Sequence, residues 1–136
     1  MSLSEKQQQL MNNAFWGQLA MVRQLCEQDG VSPHFHDASG KTPLHEACHA
    51  GNLDVARYLV EYQGVSIHAT DNQGNTPLHL ACYADRLDTV RYLVSGTPQG
   101  VFLLNVTNSQ GLTPKAVTES EWGKAAVWDF LQTLPN

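Results

Sequence analysis

Five consecutive residues, His45-Glu46-Ala47-Cys48-His49, match the H-E-x-x-H pattern, in which two histidines one helical turn apart bind zinc and the glutamate is a general base. Taken alone, this pattern indicates metal-dependent hydrolysis. His45 recurs, however, as His79, in a segment that lacks both the glutamate and the second histidine. We therefore expect His45 to tie neighbouring loops together by hydrogen bonds, and we predict no catalytic residue, no metal and no cofactor. Zinc hydrolysis is kept only as an alternative, because no third ligand is evident.

Two of the other histidines and two of the cysteines also follow the repeated framework. His34 and His68 occupy one loop position in successive units, and Cys48 and Cys82 occupy one small apolar position. Cys26 falls on a position that is valine in later units, which predicts a core thiol. Three cysteines are an odd number and do not predict a disulfide framework, so a reducing compartment is expected.

The elements that must position these residues repeat along the chain. The segment from Asp37 to Cys48 matches the segment from Asp71 to Cys82 at a spacing of 71 − 37 = 34 residues, and the match continues downstream. One period earlier lies a third copy, which is more polar. A fourth copy begins at Asn108, at a spacing of 108 − 71 = 37 residues, because three residues are inserted within 95–100. A period of this length is typical of a helical repeat protein.

We predict one domain over residues 1–136, divided into four repeats. These are an N-terminal capping repeat at 4–36, a second repeat at 37–70, a third repeat with the loop insertion at 71–107, and a degenerate C-terminal capping repeat at 108–136. The insertion is interpreted either as a recognition loop or as neutral surface.

Within a unit the residues predict two short helices. Thr42 is a suitable N-cap, Pro43 suits the first helical position, and Gly51 ends the first helix. The apolar stripe of the second helix is Leu53, Val55 or Ala56, Leu59 and Val60, and we expect that helix to stop at Gly64. The return loops are expected to be anchored by Val65, Ile67, Val101 and Leu104. Helices this short are marginal alone, so the units must stack into an all-α solenoid.

Composition narrows the function. The 136 residues are 42% hydrophobic, carry a net charge of −5 and contain no apolar run long enough to cross a membrane. An acidic chain lacks the positive charge that phosphate-backbone binding uses, so neither nucleic acid nor a membrane is expected as a partner. The N-terminus has no apolar leader region, and we expect an intracellular protein of the cytoplasm or nucleus.

The repeated pattern Asp-x-x-Gly-x-Thr-Pro-Leu-His-x-Ala resembles the ankyrin repeat, most closely over residues 37–94. Lys115 and Ala116 replace the leucine and histidine in the last unit, where the resemblance is weaker. The resemblance implies helix–turn–helix units in inner and outer layers, projecting β-turn fingers, a concave face, and recognition of a protein partner.

The resemblance also implies where the partner would bind: on the fingers and at the exposed end of each inner helix. The finger positions are Ala38, Ser39 and Lys41, then Asn72, Gln73 and Asn75, then Ser109, Gln110 and Leu112. The helix positions are Phe15 with Trp16, His49 with Ala50, and Tyr83 with Ala84, and Ser120, Glu121 and Trp122 would continue the row. Aromatic residues are enriched among interface hot spots. For Phe15 and Trp16, burial under the N-terminal cap is the alternative.

These observations predict a monomeric adaptor or inhibitor that binds a protein of unknown identity and is not an enzyme. The alternative is an interaction segment of a larger multidomain protein.

Overall fold

The structure, a computed structural model, describes residues 2–119 and 125–135, and within those ranges it contains helices and turns but no strand. The α-helices are α1 Leu3–Trp16, α2 Leu19–Glu27, α3 Pro43–Ala50, α4 Leu53–Arg57, α5 Pro77–Tyr83, α6 Leu87–Ser95, α7 Pro114–Glu119 and α8 Ala125–Gln132. A π-helical turn, Tyr58–Tyr62, extends α4, and a 3-10 helix, Gly100–Asn105, follows α6.

The inner helices begin as their sequence predicts. The Thr42 hydroxyl accepts a hydrogen bond from the His45 backbone N–H at 3.3 Å, and the Thr42 N–H donates to His45 Nδ1 at 3.1 Å. The same reciprocal cap joins Thr76 and His79 at the start of α5. At the other end of α3, Gly51 adopts a φ of 77°, which closes the helix in the left-handed region.

The helices form two layers. The inner layer is α1, α3, α5 and α7, each packed on the next, and the outer layer is α2, α4, α6 and α8, packed in the same order. A core of apolar side chains fills the space between them, and its largest members include Leu10, Leu25, Leu44, Leu59, Leu78 and Leu93. Burying one such side chain stabilises the fold by roughly 1.5–3 kcal/mol. The all-α solenoid predicted from the repeats is confirmed.

Successive finger turns are joined through their backbones. In the first finger Asp37 Oδ1 accepts the N–H groups of Ser39 and Lys41 at 2.9 and 3.0 Å. Gly40 has a φ of 81°, and a Cβ there would lie 2.7 Å from the Asn72 nitrogen. That close approach lets the Asn72 N–H donate to the Ser39 carbonyl at 2.9 Å. The Ser109 N–H makes the equivalent bond to the Gln73 carbonyl.

The outer layer repeats an arrangement of arginine, glutamate and tyrosine. The Arg57 guanidinium lies 5.5 Å from the centre of the Tyr92 ring and forms a 3.0 Å ion pair with Glu61, which also accepts the Tyr92 hydroxyl. One repeat earlier, Arg23, Glu27 and Tyr58 are arranged in the same way. Each set connects one outer helix to the next.

Two details differ from the sequence-based expectations. Val101, predicted to anchor a return loop, is 52% exposed; because residues 100–105 form a 3-10 helix, Leu103 takes the buried position instead. Cys26 packs against the core but is only half-buried. The predicted anchors Val65 and Ile67 are buried as expected. Among the described residues, no helix combines the length and apolar character that crossing a membrane requires.

Candidate functional site

The histidine of the H-E-x-x-H match is part of the framework. His45 is fully buried, and its Nδ1 accepts the Thr42 N–H, which places the ring proton on Nε2. Nε2 then donates to the carbonyl of Asn75 in the next finger at 2.9 Å. Burial lowers the pKa of His45 and favours the neutral ring that this geometry requires. Both ring nitrogens are therefore engaged, and His45 has no lone pair to offer a metal.

The same relationship recurs one repeat later. His79 accepts the Thr76 N–H and donates from Nε2 to the Leu112 carbonyl at 2.9 Å, and burial lowers its pKa as well. The predicted bridging of neighbouring loops is confirmed for both histidines. In residues 2–119 and 125–135 the structure brings together no group of three His, Cys, Asp or Glu side chains that could hold a metal ion.

The exposed ends of the inner helices carry a row of rings. Trp16 meets Phe15 edge-to-face with the ring centres 5.2 Å apart, and Phe15 lies 6.4 Å from His49. His49 in turn lies 6.4 Å from Tyr83. Trp16 is 71% exposed and Tyr83 47%, whereas Phe15 and His49 are half-buried. We call these four residues the aromatic row.

Beside the aromatic row lies a groove of about 370 Å³ that spans α3, α5, α7 and three fingers. Seven of the residues predicted to contact a partner line it: Lys41, His49, Gln73, Asn75, Tyr83, Gln110 and Leu112. The groove is also lined by Leu80 and Val117, two apolar side chains among a largely polar lining. We call it the central groove.

Phe15 and Trp16 line a second, smaller groove of about 280 Å³ between α1 and α3. We call it the N-terminal groove; its other lining residues are Gln8, Met11, Asn12, Asp37 and Glu46. Burial raises the pKa of Glu46. Burial also acts to raise the pKa of Asp37, but hydrogen bonds from Ser39 and Lys41, with the charge of Lys41, leave it below its usual value.

The remaining predicted contact residues lie on the finger turns outside both grooves. Ala38, Ser39, Asn72 and Ser109 are exposed. The Asn72 side chain donates to the Ala38 carbonyl at 2.9 Å, so it also connects two fingers. Ser120, Glu121 and Trp122, expected to continue the row, lie outside the described residues.

Sequence reasoning did not assign Glu46 and Asp37 to a binding surface, nor Leu80 and Val117. The sequence did hold a signal for Glu46 and Leu80. Glu46 and Leu80 occupy the same position, 34 residues apart, inside two otherwise identical Pro-Leu-His-x-Ala-Cys segments. A position that varies within a repeated framework is one whose residue type the framework does not fix.

Stacked two-helix units with linked fingers, and grooves along the inner layer, define an α-helical repeat protein. A family model of ankyrin repeats, in three copies, matches residues 10–114. The chain belongs to the ankyrin-repeat family, whose repeats generally mediate protein–protein interaction. No curated protein shows significant similarity to the sequence.

Proposed function

We propose that this protein is an adaptor or inhibitor that binds one partner protein across its fingers and the exposed ends of its inner helices. We call this surface the inner face; it comprises the aromatic row, both grooves and the three finger turns. The observation that carries the proposal is the aromatic row, because it runs without a gap from α1 to α5 and connects the N-terminal groove to the central groove.

The chemistry of the row favours binding. Trp16 and Tyr83 place large ring surfaces in water although the chain has a core that could bury aromatic residues, as it buries Tyr58. A rigid aromatic ring contributes much contact area at little cost in side-chain entropy, which is why tryptophan and tyrosine are frequent hot spots. Around the row, Gln73, Asn75 and Gln110 supply donors and acceptors for a polar rim.

We further infer that the protein acts as a monomer inside the cell. Cys26, Cys48 and Cys82 are free thiols, as expected in a reducing compartment. Light scattering from the purified protein should give a mass close to 15.0 kDa per particle. A doubled mass would contradict the monomer. If Tyr83→Ala did not restore the single mass, the self-association surface would lie outside the inner face.

Partner capture tests the proposal. The intact protein and a Tyr83→Ala/Lys41→Ala/Gln73→Ala variant would be used as baits in one cell extract, with bound proteins identified by mass spectrometry. Tyr62→Ala is the matched control, because Tyr62 is 80% exposed on the π-helical turn of the outer layer. Circular dichroism would verify that all baits are folded. We expect one reproducible partner that the triple variant loses and the control retains. A partner retained by the triple variant and lost by Tyr62→Ala would move the site to the outer layer.

A further inference from the structure

The two grooves of the inner face differ in charge. Glu46 and Asp37 line the N-terminal groove, whereas the central groove has Leu80 at the position equivalent to Glu46 and Lys41 on its rim. Among the described residues, no acidic side chain lines the central groove. The inner face therefore changes along its length from an end with two carboxylates beside aromatic rings to a central groove that combines Leu80 and Val117 with amide side chains and has Lys41 beside it.

The two carboxylates of the N-terminal groove have acceptor capacity that the fold does not use. The three hydrogen bonds to Asp37 all end on Oδ1, so Oδ2 has no hydrogen bond within the described part of the chain. The Glu46 carboxylate, half-buried, makes neither a hydrogen bond nor an ion pair there. Lys41 is near enough to influence the pKa of both groups, but it does not come within ion-pair distance of either. Partly desolvated carboxylates of this kind gain from a charged donor.

The aromatic wall of the same groove suits the same ligand. Trp16 and Phe15 lie beside the carboxylates, and Trp16 is 71% exposed. A guanidinium or ammonium group is attracted to the face of an aromatic ring, most strongly to tryptophan, and arginine also binds carboxylates through two parallel hydrogen bonds. The chain already makes contacts of this type on its outer layer, where Arg57 lies over Tyr92 and pairs with Glu61.

We propose that the N-terminal groove binds an arginine or lysine side chain of the partner, while an apolar side chain of the same partner segment lies in the central groove near Leu80. The inference rests on the proposed function and adds which side-chain chemistry of the bound segment lies in each groove. Glu46 is then a binding residue for a basic group, although its sequence context resembles that of a general base.

The chain itself shows which substitutions the fold tolerates at equivalent positions. Leu80 occupies the position equivalent to Glu46 inside a well-formed α5. Asn108 opens the third finger, where its Oδ1 accepts the Gln110 and Leu112 N–H groups as Asp37 Oδ1 accepts those of the first finger. The double variant Asp37→Asn/Glu46→Leu therefore uses residues that this fold tolerates at equivalent positions. Asp54→Asn/Asp88→Asn removes the same charge from the outer layer and is the matched control.

Peptide selection provides a probe without knowledge of the partner. Random peptides displayed on phage would be selected against the intact protein and both double variants. We expect peptides selected by the intact protein to be enriched in arginine or lysine. Synthetic copies should bind Asp37→Asn/Glu46→Leu about tenfold more weakly, and a copy with its basic residue changed to glutamine should not discriminate between the two proteins. The Asp54→Asn/Asp88→Asn control should behave like the intact protein.

The outcomes separate the two proposals. Peptides that depend on Tyr83 but show no preference for basic residues, or that bind the acidic-groove variant undiminished, would overturn the inference and leave the inner face as the binding surface. Selected peptides that bind both Tyr83→Ala and Asp37→Asn/Glu46→Leu as tightly as the intact protein would overturn both. As a further check, Glu46→Lys should reverse the preference and enrich aspartate or glutamate.

Discussion

The Nε2 atom of His45 donates to the carbonyl of Asn75 at 2.9 Å, and this bond joins the start of one inner helix to the finger of the next repeat. His79 makes the same bond to Leu112. These histidines hold in register the fingers and inner helices that carry the inner face.

Removing this bridge should destabilise the fold. His45→Ala leaves the Thr42 N–H without its partner, removes one of the two donors to the Asn75 carbonyl, which keeps the Asp71 N–H, and opens a cavity at a fully buried site. We expect the free energy of unfolding to fall by about 2–4 kcal/mol, measured by urea denaturation. His68→Ala, at an exposed loop position, is the control and should change it by less than about 0.5 kcal/mol. Equal effects of the two substitutions would contradict the bridging role.

Stability should decrease in mild acid. Burial is the main cause that lowers the pKa values of His45 and His79 in the folded protein. When the pH falls below the ordinary histidine pKa of about 6.5, the unfolded chain therefore binds protons at these histidines that the folded chain does not bind. Each histidine then contributes a loss of up to about 1.4 kcal/mol per pH unit below that value. Urea denaturation between neutral pH and mild acid would measure the slope. A flat profile would show that neither histidine is held neutral.

The core assignment gives a third stability prediction. Leu59 is fully buried between the layers, and Leu59→Ala should lower the free energy of unfolding by about 2–5 kcal/mol through the cavity that it leaves. Tyr62→Ala, three residues along the same outer helical segment but largely exposed, should have a small effect. If the two variants unfold at the same urea concentration, Leu59 does not lie on the face of this helical segment that packs into the core.

Asp85 should be important for the position of the last helix. It has a φ of 58°, where the equivalent residue one repeat earlier is Gly51, and its Oδ1 accepts the Val127 N–H of α8 at 3.1 Å. Asp85→Ala keeps the unfavourable backbone and removes the bond at a helix N-terminus, so a loss of about 1–2 kcal/mol is expected in thermal or urea unfolding. Asp85→Gly loses the bond but relieves the backbone, and it should cost less. The opposite order would contradict this account.

The repeated framework was predictable from the sequence because the cap, the proline and the buried leucines recur with one period. Thr42, Pro43 and Gly51 perform the local roles that their types predict. Val101 was assigned wrongly because the insertion after α6 changes the register of the return loop, and a 34-residue period carries no information about an inserted segment. The alignment of Asp85 with Gly51 held a signal for its left-handed backbone, but its bond to Val127, 42 residues away, could not be predicted from the repeat.

The candidate site was predictable only in part. The resemblance to the ankyrin repeat named seven of the residues that line the central groove, since equivalent positions lie in a row when units stack, but not Leu80 or Val117. It did not reveal that Glu46, Asp37 and Trp16 share one groove, because that proximity depends on how α1 packs on α3.

The central claim is that the inner face binds a protein, and the affinity of the captured partner for Tyr83→Ala tests it most directly. Isothermal titration calorimetry would compare the intact protein, Tyr83→Ala and the outer-layer control Tyr62→Ala, each checked for folding by circular dichroism. We predict that Tyr83→Ala weakens binding by about 1–4 kcal/mol while Tyr62→Ala leaves it unchanged. Unchanged affinity for Tyr83→Ala, with a loss for Tyr62→Ala, would contradict the account.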